Sequence, residues 1–321
     1  MTTFGDGVFQ YGGSPVGGAG PFPMDGGRAW FVDGTNGLSG ASGKKPDDAF
    51  STLTAALAVA DEGDTIFVYP KTMAVTDTDP GSYAETVTIS TPQINIIGVP
   101  WGRAQGGLPQ FKIGAGSTAM FTVAAPGVYI KNIGFNGASS TGGGIKLDDD
   151  GGSTKAAFGT VIENCHFKNC KCHATNGSLG GAIYWPAAGN AWQVLIRGNK
   201  FYKCVADIVL VGTSGSRPQD VVIQDNIFSG PAASVDANIL SEGSGFDGVY
   251  IDRNVFPCFP AIGSGSNAKP LDLTGSVGIL SNNVFGCTGK TFGATANVVV
   301  PTTVLMANNY QEDGATQITR T

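Results

Sequence analysis

The chain has 321 residues, a formal net charge of −6 and only 14% charged residues, and it contains 49 glycines. This composition favours a turn-rich β protein over a helical one, and the 41% hydrophobic content excludes a disordered chain. Because Lys and Arg form no cluster along the chain, nucleic acid is not expected as a partner, and no stretch is long and apolar enough to span a membrane.

Residues 1–28 form a Gly- and Pro-rich segment with isolated aromatic residues. We predict an extended arm that contacts an assembly partner, with aromatic anchors at Phe4, Phe9, Tyr11 and Phe22. Packing of this arm on the body of its own chain is the alternative. The first ten residues lack the basic and apolar stretches of a secretory signal, so we expect synthesis in a cytoplasm, with mostly reduced cysteines.

Residues 29–64 are expected to hold one strand and a short capping helix. Phe50, Leu53 and Leu57 fall on one helical face, the acidic pair at 47–48 can cap the start of the helix, and Gly63 can end it. Such a helix would cover the exposed first rung of a stacked β structure.

Residues 65–321 are expected to form stacked β coils. From about residue 130 to 310 they carry a repeat in which an aliphatic residue is followed three positions later by Asn and five positions later by an aromatic. The aromatic residues recur about every 25 to 34 positions, and β-like patches without helical periodicity fill the intervals. Two earlier copies place the Asn one residue sooner, at Asn132 and Asn164. The full copies are Ile196-Asn199-Phe201, Ile223-Asn226-Phe228, Ile251-Asn254-Phe256, Leu280-Asn283-Phe285 and Leu305-Asn308-Tyr310.

Strands that return in phase without intervening helices predict an all-β chain, folded as a single right-handed parallel β-helix solenoid with a short N-terminal capping helix. Asn tolerates the left-handed conformation of a sharp corner, and amides on successive coils can donate to one another. We therefore predict inward-pointing aromatics and a structural ladder of Asn199, Asn226, Asn254, Asn283 and Asn308.

These coils and the opening segment "WFVDGTNG…PDDAFSTLTAALAVADEGDTIFVYP" resemble the right-handed parallel β-helix, or pectin-lyase-like, superfamily over about residues 29–310. The resemblance implies the fold, but this scaffold hosts lyases, hydrolases and inert virion parts alike. Motifs of the family's enzymes, such as Gly-His-Gly, Arg-Ile-Lys or Asp-His beside a strand, do not occur.

Cysteines recur at nearly one phase of the repeat and are expected to stack inside the solenoid as small apolar residues. The segment "NCHFKNCKCH" also brings His166 and His173 near cysteines, but its spacing matches no common zinc motif. We therefore predict no metal and no cofactor. The acidic turn at 148–150 is expected to be solvated, with calcium binding as the alternative. The recurring cysteines are Cys170, Cys204, Cys258 and Cys287.

Three aromatic residues around one loop, Tyr184, Trp185 and Trp192, are candidate glycan-binding residues. The alternative is that their rings pad the loop against the coils. No catalytic residue is assigned.

The preferred functional prediction is a bacteriophage virion structural protein, in particular a capsid decoration (cement) protein. It would dock on the major capsid protein through its arm, form homo-oligomers and reside in the virion after assembly in the host cytoplasm. The alternatives are a tailspike-like depolymerase or lyase, using Asp148–Asp150 with Lys146 or Arg197 and Trp185, and an attachment protein that binds a surface glycan without cleaving it.

Overall fold

The structure is a computed structural model of the whole chain. It describes residues 10–11, 14–15, 27–71, 81–101, 107–112, 119–137, 143–147, 157–170, 181–186, 191–204, 206–211, 217–229, 237–241, 244–256, 269–286, 291–293, 298–312, 314 and 316–320. In these residues no helix is long and apolar enough to cross a membrane.

Three parallel sheets, named sheets 1, 2 and 3 in the order in which each coil visits them, account for nearly all the strands. Sheet 1 contains Ala29–Asp33, Thr65–Tyr69, Asn95–Gly98, Tyr129–Lys131, Val161–Glu163, Leu195–Arg197, Val222–Gln224, Asp247–Asp252, Val277–Ser281 and Val304–Ala307. Sheet 2 contains Ser82–Tyr83, Gln110–Lys112, Gly134–Asn136, His166–Lys168, Lys200–Tyr202, Ile227–Ser229, Val255–Phe256, Val284–Phe285 and Tyr310–Gln311. Sheet 3 contains Val87–Ile89, Ala119–Val123, Gly143–Leu147, Ile183–Trp185, Ile208–Leu210, Ala237–Ser241, Lys269–Asp272, Phe292–Gly293 and Val298–Val299.

Away from the two ends, each strand pairs with the equivalent strand of the coils before and after it, so the chain is a parallel β-helix. In the last coil the strand Phe292–Gly293 instead pairs with Val298–Val299 of the same coil. Ile162, for example, lies between Ile130 and Ile196, and Phe167 lies between Phe135 and Phe201. Neighbouring coils in such a stack are about 4.8 Å apart. The predicted fold class is confirmed.

The core is a set of vertical columns because every second residue of a strand points inward. Phenylalanines of sheet 2 form one column, in which neighbouring rings from Phe135 to Phe285 are 4.6–5.0 Å apart and inclined by 5–9°. The facing column from sheet 1 is fully buried and consists of Ile96, Ile130, Ile162, Ile196, Ile223, Ile251 and Leu280.

A ladder of buried asparagines follows the corner between sheets 1 and 2. The Nδ2 of Asn199 donates to Oδ1 of Asn226 at 3.1 Å, and Asn226 donates to Asn254 in the same way at 3.0 Å. Asn254 continues to Asn283, also at 3.0 Å. At each step the backbone N–H of the donating asparagine also donates to Oδ1 of the next ladder asparagine. Its Nδ2 donates in addition to a backbone carbonyl of the preceding coil. Every polar group of these side chains is therefore satisfied without water.

The ladder ends at Asn309 rather than Asn308, so the sequence-based prediction is wrong at this position. The Nδ2 of Asn283 donates to Oδ1 of Asn309 at 3.0 Å. The last coil is displaced by one residue from the predicted phase, because Met306 pairs with Leu280 and Gln311 pairs with Phe285. Tyr310 consequently points outward.

The left-handed corner residue also differs from the prediction. It is the residue before each ladder asparagine, with φ between 52° and 68° at Gly198, Asp225, Arg253, Asn282 and Asn308. In the two earlier copies Asn132 and Asn164 occupy this corner, with φ of 56° and 52°. Asn thus has two separate uses in the repeat, one as a left-handed corner residue and one as a ladder residue.

The capping helix is shorter than predicted. It covers Leu53–Leu57, and Thr52 caps its start by accepting the N–H of Ala55 at 3.2 Å. Residues Pro46–Asp48 form a separate 3₁₀ turn, and Phe50 forms a bridge with the first strand of sheet 1. Leu53 is fully buried, so the helix does cover the first rung of the core.

Candidate functional site

Several sequence-predicted residues lie outside the described part of the chain. These are the arm residues Phe4, Phe9 and Phe22, the acidic turn Asp148–Asp150, and the residues Cys172, His173, Cys258 and Cys287. Tyr11 belongs to the strand Gln10–Tyr11, which pairs antiparallel with Ser14–Pro15. The expected docking of a capsid partner through the arm stays a prediction.

Two of the three candidate sugar-binding aromatics are buried, so they present no face to a ligand in this structure. Trp185 is fully buried in the core, where its Nε1–H donates to the carbonyl of Ala191 at 3.1 Å. Tyr184 is 6% exposed, whereas Trp192 is 46% exposed. Only Trp192 therefore keeps the exposed ring that stacking on a sugar requires.

The outer face of sheet 3 explains the burial of Tyr184. Tyr184, Val209 and Leu240 are successive members of one outward column, and all three are buried in a second apolar cluster. Lys146 precedes Tyr184 in that column, on sheet 3, while Arg197 lies on sheet 1. The two alternative cations of the catalytic set considered from the sequence thus lie on different sheets, and its proposed sugar platform, Trp185, is in the core.

An exposed aromatic pair lies at the corner that leads into sheet 1. Phe158, which sequence reasoning missed, is 45% exposed and occupies the position equivalent to Trp192 one coil earlier. The N–H of Gly159 donates to the carbonyl of Trp192 at 2.8 Å, which fixes this register. The signal was present in the sequence, because Phe158 and Trp192 each stand three residues before a repeat strand, at Val161 and Leu195.

Next to Phe158, a groove of about 790 Å³ runs along the outer face of sheet 1. Phe158 and Gln193, the neighbour of Trp192, line the groove, which crosses several coils. Its other polar lining comes from Gln93, Asn95, Tyr129, Glu163 and Arg197.

A charged cluster closes one side of the groove, centred on Glu163. Its carboxylate accepts from Arg197 Nη2 at 2.8 Å, from Tyr129 Oη at 3.1 Å and from Lys131 Nζ at 3.0 Å. Glu163 and Lys131 side chains are each 12% exposed, whereas the Arg197 side chain is 42% exposed. Arg197 is therefore the member of this cluster that can meet a ligand.

The protonation states of the cluster follow from these contacts. Burial raises the pKa of the Glu163 carboxyl, but hydrogen bonds from Arg197 and Lys131 outweigh it, and the net pKa lies below its ordinary value. Burial and the adjacent negative charge of Glu163 raise the pKa of Tyr129. The hydrogen bond to Glu163 raises the pKa of Arg197. At neutral pH Glu163 is an anion and Tyr129 holds its proton.

The cysteine-rich segment gives no sign of a metal centre in the residues that the structure describes. Cys165, Cys170 and Cys204 are free, buried thiols inside the core. Burial is the main factor that raises the pKa of Cys165 to about 12, so its thiol is protonated. Among the described residues, no three His, Cys, Asp or Glu side chains are grouped as a metal site would require.

Comparison with known proteins finds similar solved structures. No protein-family model matches the chain, and no curated protein matches it. A pectate lyase, Pel9A, is 15% identical, with 89% of this chain and 77% of that chain covered and a TM-score of 0.47. A pectin methylesterase in complex with a hexasaccharide is 12% identical, with 90% of each chain covered and a TM-score of 0.46. The pectin methylesterase PemA from Erwinia chrysanthemi is 11% identical, with 91% of each chain covered and a TM-score of 0.45. Likeness at these identities bears on the fold alone.

Proposed function

We propose that the protein binds a carbohydrate chain in the groove on the outer face of sheet 1, without cleaving it. The observation that carries this proposal is the exposed pair Phe158 and Trp192, at equivalent positions of adjacent coils, where Phe158 and the neighbour of Trp192, Gln193, line the groove. Apolar faces of sugar rings stack on exposed aromatics, and their hydroxyls need donors and acceptors close by. Arg197, Gln93 and Gln193 supply such groups along the groove.

Binding without cleavage is supported by the protonation state of Glu163, the acidic residue that lines the groove. Glycoside hydrolysis uses two carboxyl groups about 5 to 9.5 Å apart, one of which must carry a proton. Glu163 is the one carboxylate among the described residues that line the groove, and three donors hold it as an anion. It cannot donate a proton at neutral pH, and Tyr129 holds its proton too tightly to act as a base.

The proposal is tested by titrating the wild-type protein and two variants with oligosaccharides selected on a glycan array. Trp192→Ala and Phe158→Ala each remove one ring and should weaken binding about tenfold, equivalent to roughly 1.4 kcal/mol. Leu305→Ala is the matched control, because Leu305 is a 62% exposed apolar residue elsewhere on sheet 1. Equal affinity of all four proteins would reject the groove, and release of reducing ends or unsaturated products would reject binding without cleavage.

A role in a bacteriophage virion is a second proposal that comes from the sequence. Exposed apolar residues on the outer face of sheet 1, Ile279 at 40% and Leu305 at 62%, favour contact with another protein rather than a sugar. Deleting residues 1–28 should abolish binding to capsids while the β-type circular dichroism spectrum is kept. Undiminished capsid binding by the deletion variant would count against docking through the arm.

A further inference from the structure

The outer face of sheet 2 carries a column of exposed apolar side chains in its C-terminal half. Ile227, Val255, Val284 and Tyr310 are in register on four successive coils. They are 43%, 43%, 37% and 37% exposed. Contiguous exposed apolar side chains are typical of interaction surfaces.

The two ends of this apolar column carry opposite charges. Lys200 continues the column one coil before Ile227. Glu312 lies on the last coil, two residues after Tyr310, and is exposed. The described part of the chain provides no ion-pair partner for either side chain. The column is therefore cationic at one end, apolar in the middle and anionic at the other end.

We propose that this column is a self-association surface, on which a second copy of the chain docks about a two-fold axis parallel to the strands of sheet 2. Such an axis reverses the order of the coils in the partner copy. Ile227 then faces Tyr310, and Val255 faces Val284. This is the self-complementary contact that two-fold symmetry demands.

The residues beside the column fit the same arrangement. The corner positions on the four coils are Asp225, Arg253, Asn282 and Asn308. Reversal places Asp225 opposite Asn308 and Arg253 opposite Asn282, so each charge meets an amide.

Lys200 and Glu312 provide the charge complementarity that selects a second copy. When the two-fold axis reverses the coil order, Lys200 of one protomer is offset from Glu312 of the other. The offset is about one coil along the solenoid axis and two residues along the strand. With spacings of about 4.8 Å between coils and 3.3 Å per residue, this offset is about 8 Å within the interface plane. Both side chains are long enough to close it, and the two-fold axis produces the ion pair twice.

The surface is small, so we expect weak association. Three coil steps span only about 14 Å, well below the extent of a standard interface of about 1,600 Å². A dissociation constant in the micromolar range, about 10 to 100 μM, is expected.

Sedimentation equilibrium of the full chain tests the proposal over a concentration series up to about 500 μM, well above the expected dissociation constant. The wild type should dimerise reversibly, and Val255→Lys or Ile227→Lys should raise the dissociation constant at least tenfold. Both positions are exposed, so circular dichroism should show an unchanged fold. Leu305→Lys, on sheet 1, is the matched control and should dimerise like the wild type. A wild type that stays monomeric, or a dimer broken by Leu305→Lys but not by Val255→Lys, overturns the proposal.

A charge exchange tests the antiparallel order. Lys200→Glu and Glu312→Lys should each weaken dimerisation several-fold, and the double variant should restore it. Failure of the double variant to restore dimerisation would overturn the two-fold pairing. These residues lie on sheet 2, away from the groove of sheet 1, so carbohydrate binding should be the same in all four proteins.

Discussion

Asp207 is a carboxyl group buried beside the strand Ile208–Leu210, with 3% of its surface exposed. Burial raises the pKa of Asp207 to about 7, although a hydrogen bond from Asn238 Nδ2 at 2.7 Å opposes the rise. An unfolded chain would hold this carboxyl at its ordinary pKa of about 3.9. Between about pH 4 and pH 7 the folded protein therefore keeps a proton that the unfolded chain has lost.

This proton makes the free energy of unfolding depend on pH. The contribution of Asp207 should fall as pH rises from about 4 to 7, because the folded state binds more protons across that window. Its size has an upper bound of about 4 kcal/mol, for a shift of about three pKa units. Asp207→Asn should remove this pH-dependent loss. Its free energy of unfolding relative to the wild type, measured by urea denaturation, should therefore be higher at pH 8 than at pH 4.5.

The comparison must be made against the wild type at each pH, because His166 acts in the opposite sense. Burial, with the charges of Lys200 and Lys168, lowers the pKa of His166 to about 4, so its contribution to stability rises between about pH 4 and 6.5. Glu62→Gln, at an exposed acid, is the control. A difference between Asp207→Asn and wild type that does not change with pH would contradict the raised pKa.

At the scale of the structural element, the phenylalanine column and the asparagine ladder stabilise the coils in different ways. The column buries apolar surface in every coil, and the ladder satisfies the polar groups at the tight corner. Each acts between neighbouring coils only, which is the arrangement expected of a solenoid.

Two adjacent residues of one strand allow the contributions of an inward-pointing and an outward-pointing side chain to the free energy of unfolding to be compared. Phe201 is 1% exposed and stacks between Phe167 and Phe228, whereas Tyr202 points outward and is half-buried. Phe201→Ala should lower the free energy of unfolding by about 3–5 kcal/mol, and Tyr202→Ala by about 1 kcal/mol or less. Chemical denaturation of both variants checks this, and equal losses would refute the column as the main source of stability.

Much of each coil could be predicted from the sequence, because alternation fixes which residues point inward. Ile196 and Phe201 are inside as the repeat predicts. The last coil could not be assigned in this way. It has two adjacent asparagines, at 308 and 309, and a glutamine, Gln311, at the position of the aromatic residue. Spacing alone therefore predicted a register that is wrong by one residue.

At the scale of the whole molecule, the candidate groove depends on how coils of unequal length come into register. Tyr129, Glu163 and Arg197 belong to three coils and meet only because their strands pair side by side. Alternation predicts that each points outward, but not that they form one cluster. The burial of Tyr184 and Trp185 agrees with the alternative drawn from the sequence, that these rings pack against the coils.

The rigid stack also explains why a binding surface can form without a deep pocket. Phe158 and Trp192 are held one coil apart by backbone hydrogen bonds, and so they present their exposed rings along the solenoid axis. A ligand that follows this axis, such as an extended polymer, can meet equivalent positions on several coils at once.

A crystal structure of the protein with a bound oligosaccharide would test the carbohydrate proposal most directly. The expected result is a sugar ring stacked on Trp192 or Phe158, with a hydroxyl or acidic group hydrogen-bonded to Arg197 and the Glu163 cluster unchanged. A ligand seated on sheet 3 or at one end of the solenoid, with the groove of sheet 1 empty, would contradict it.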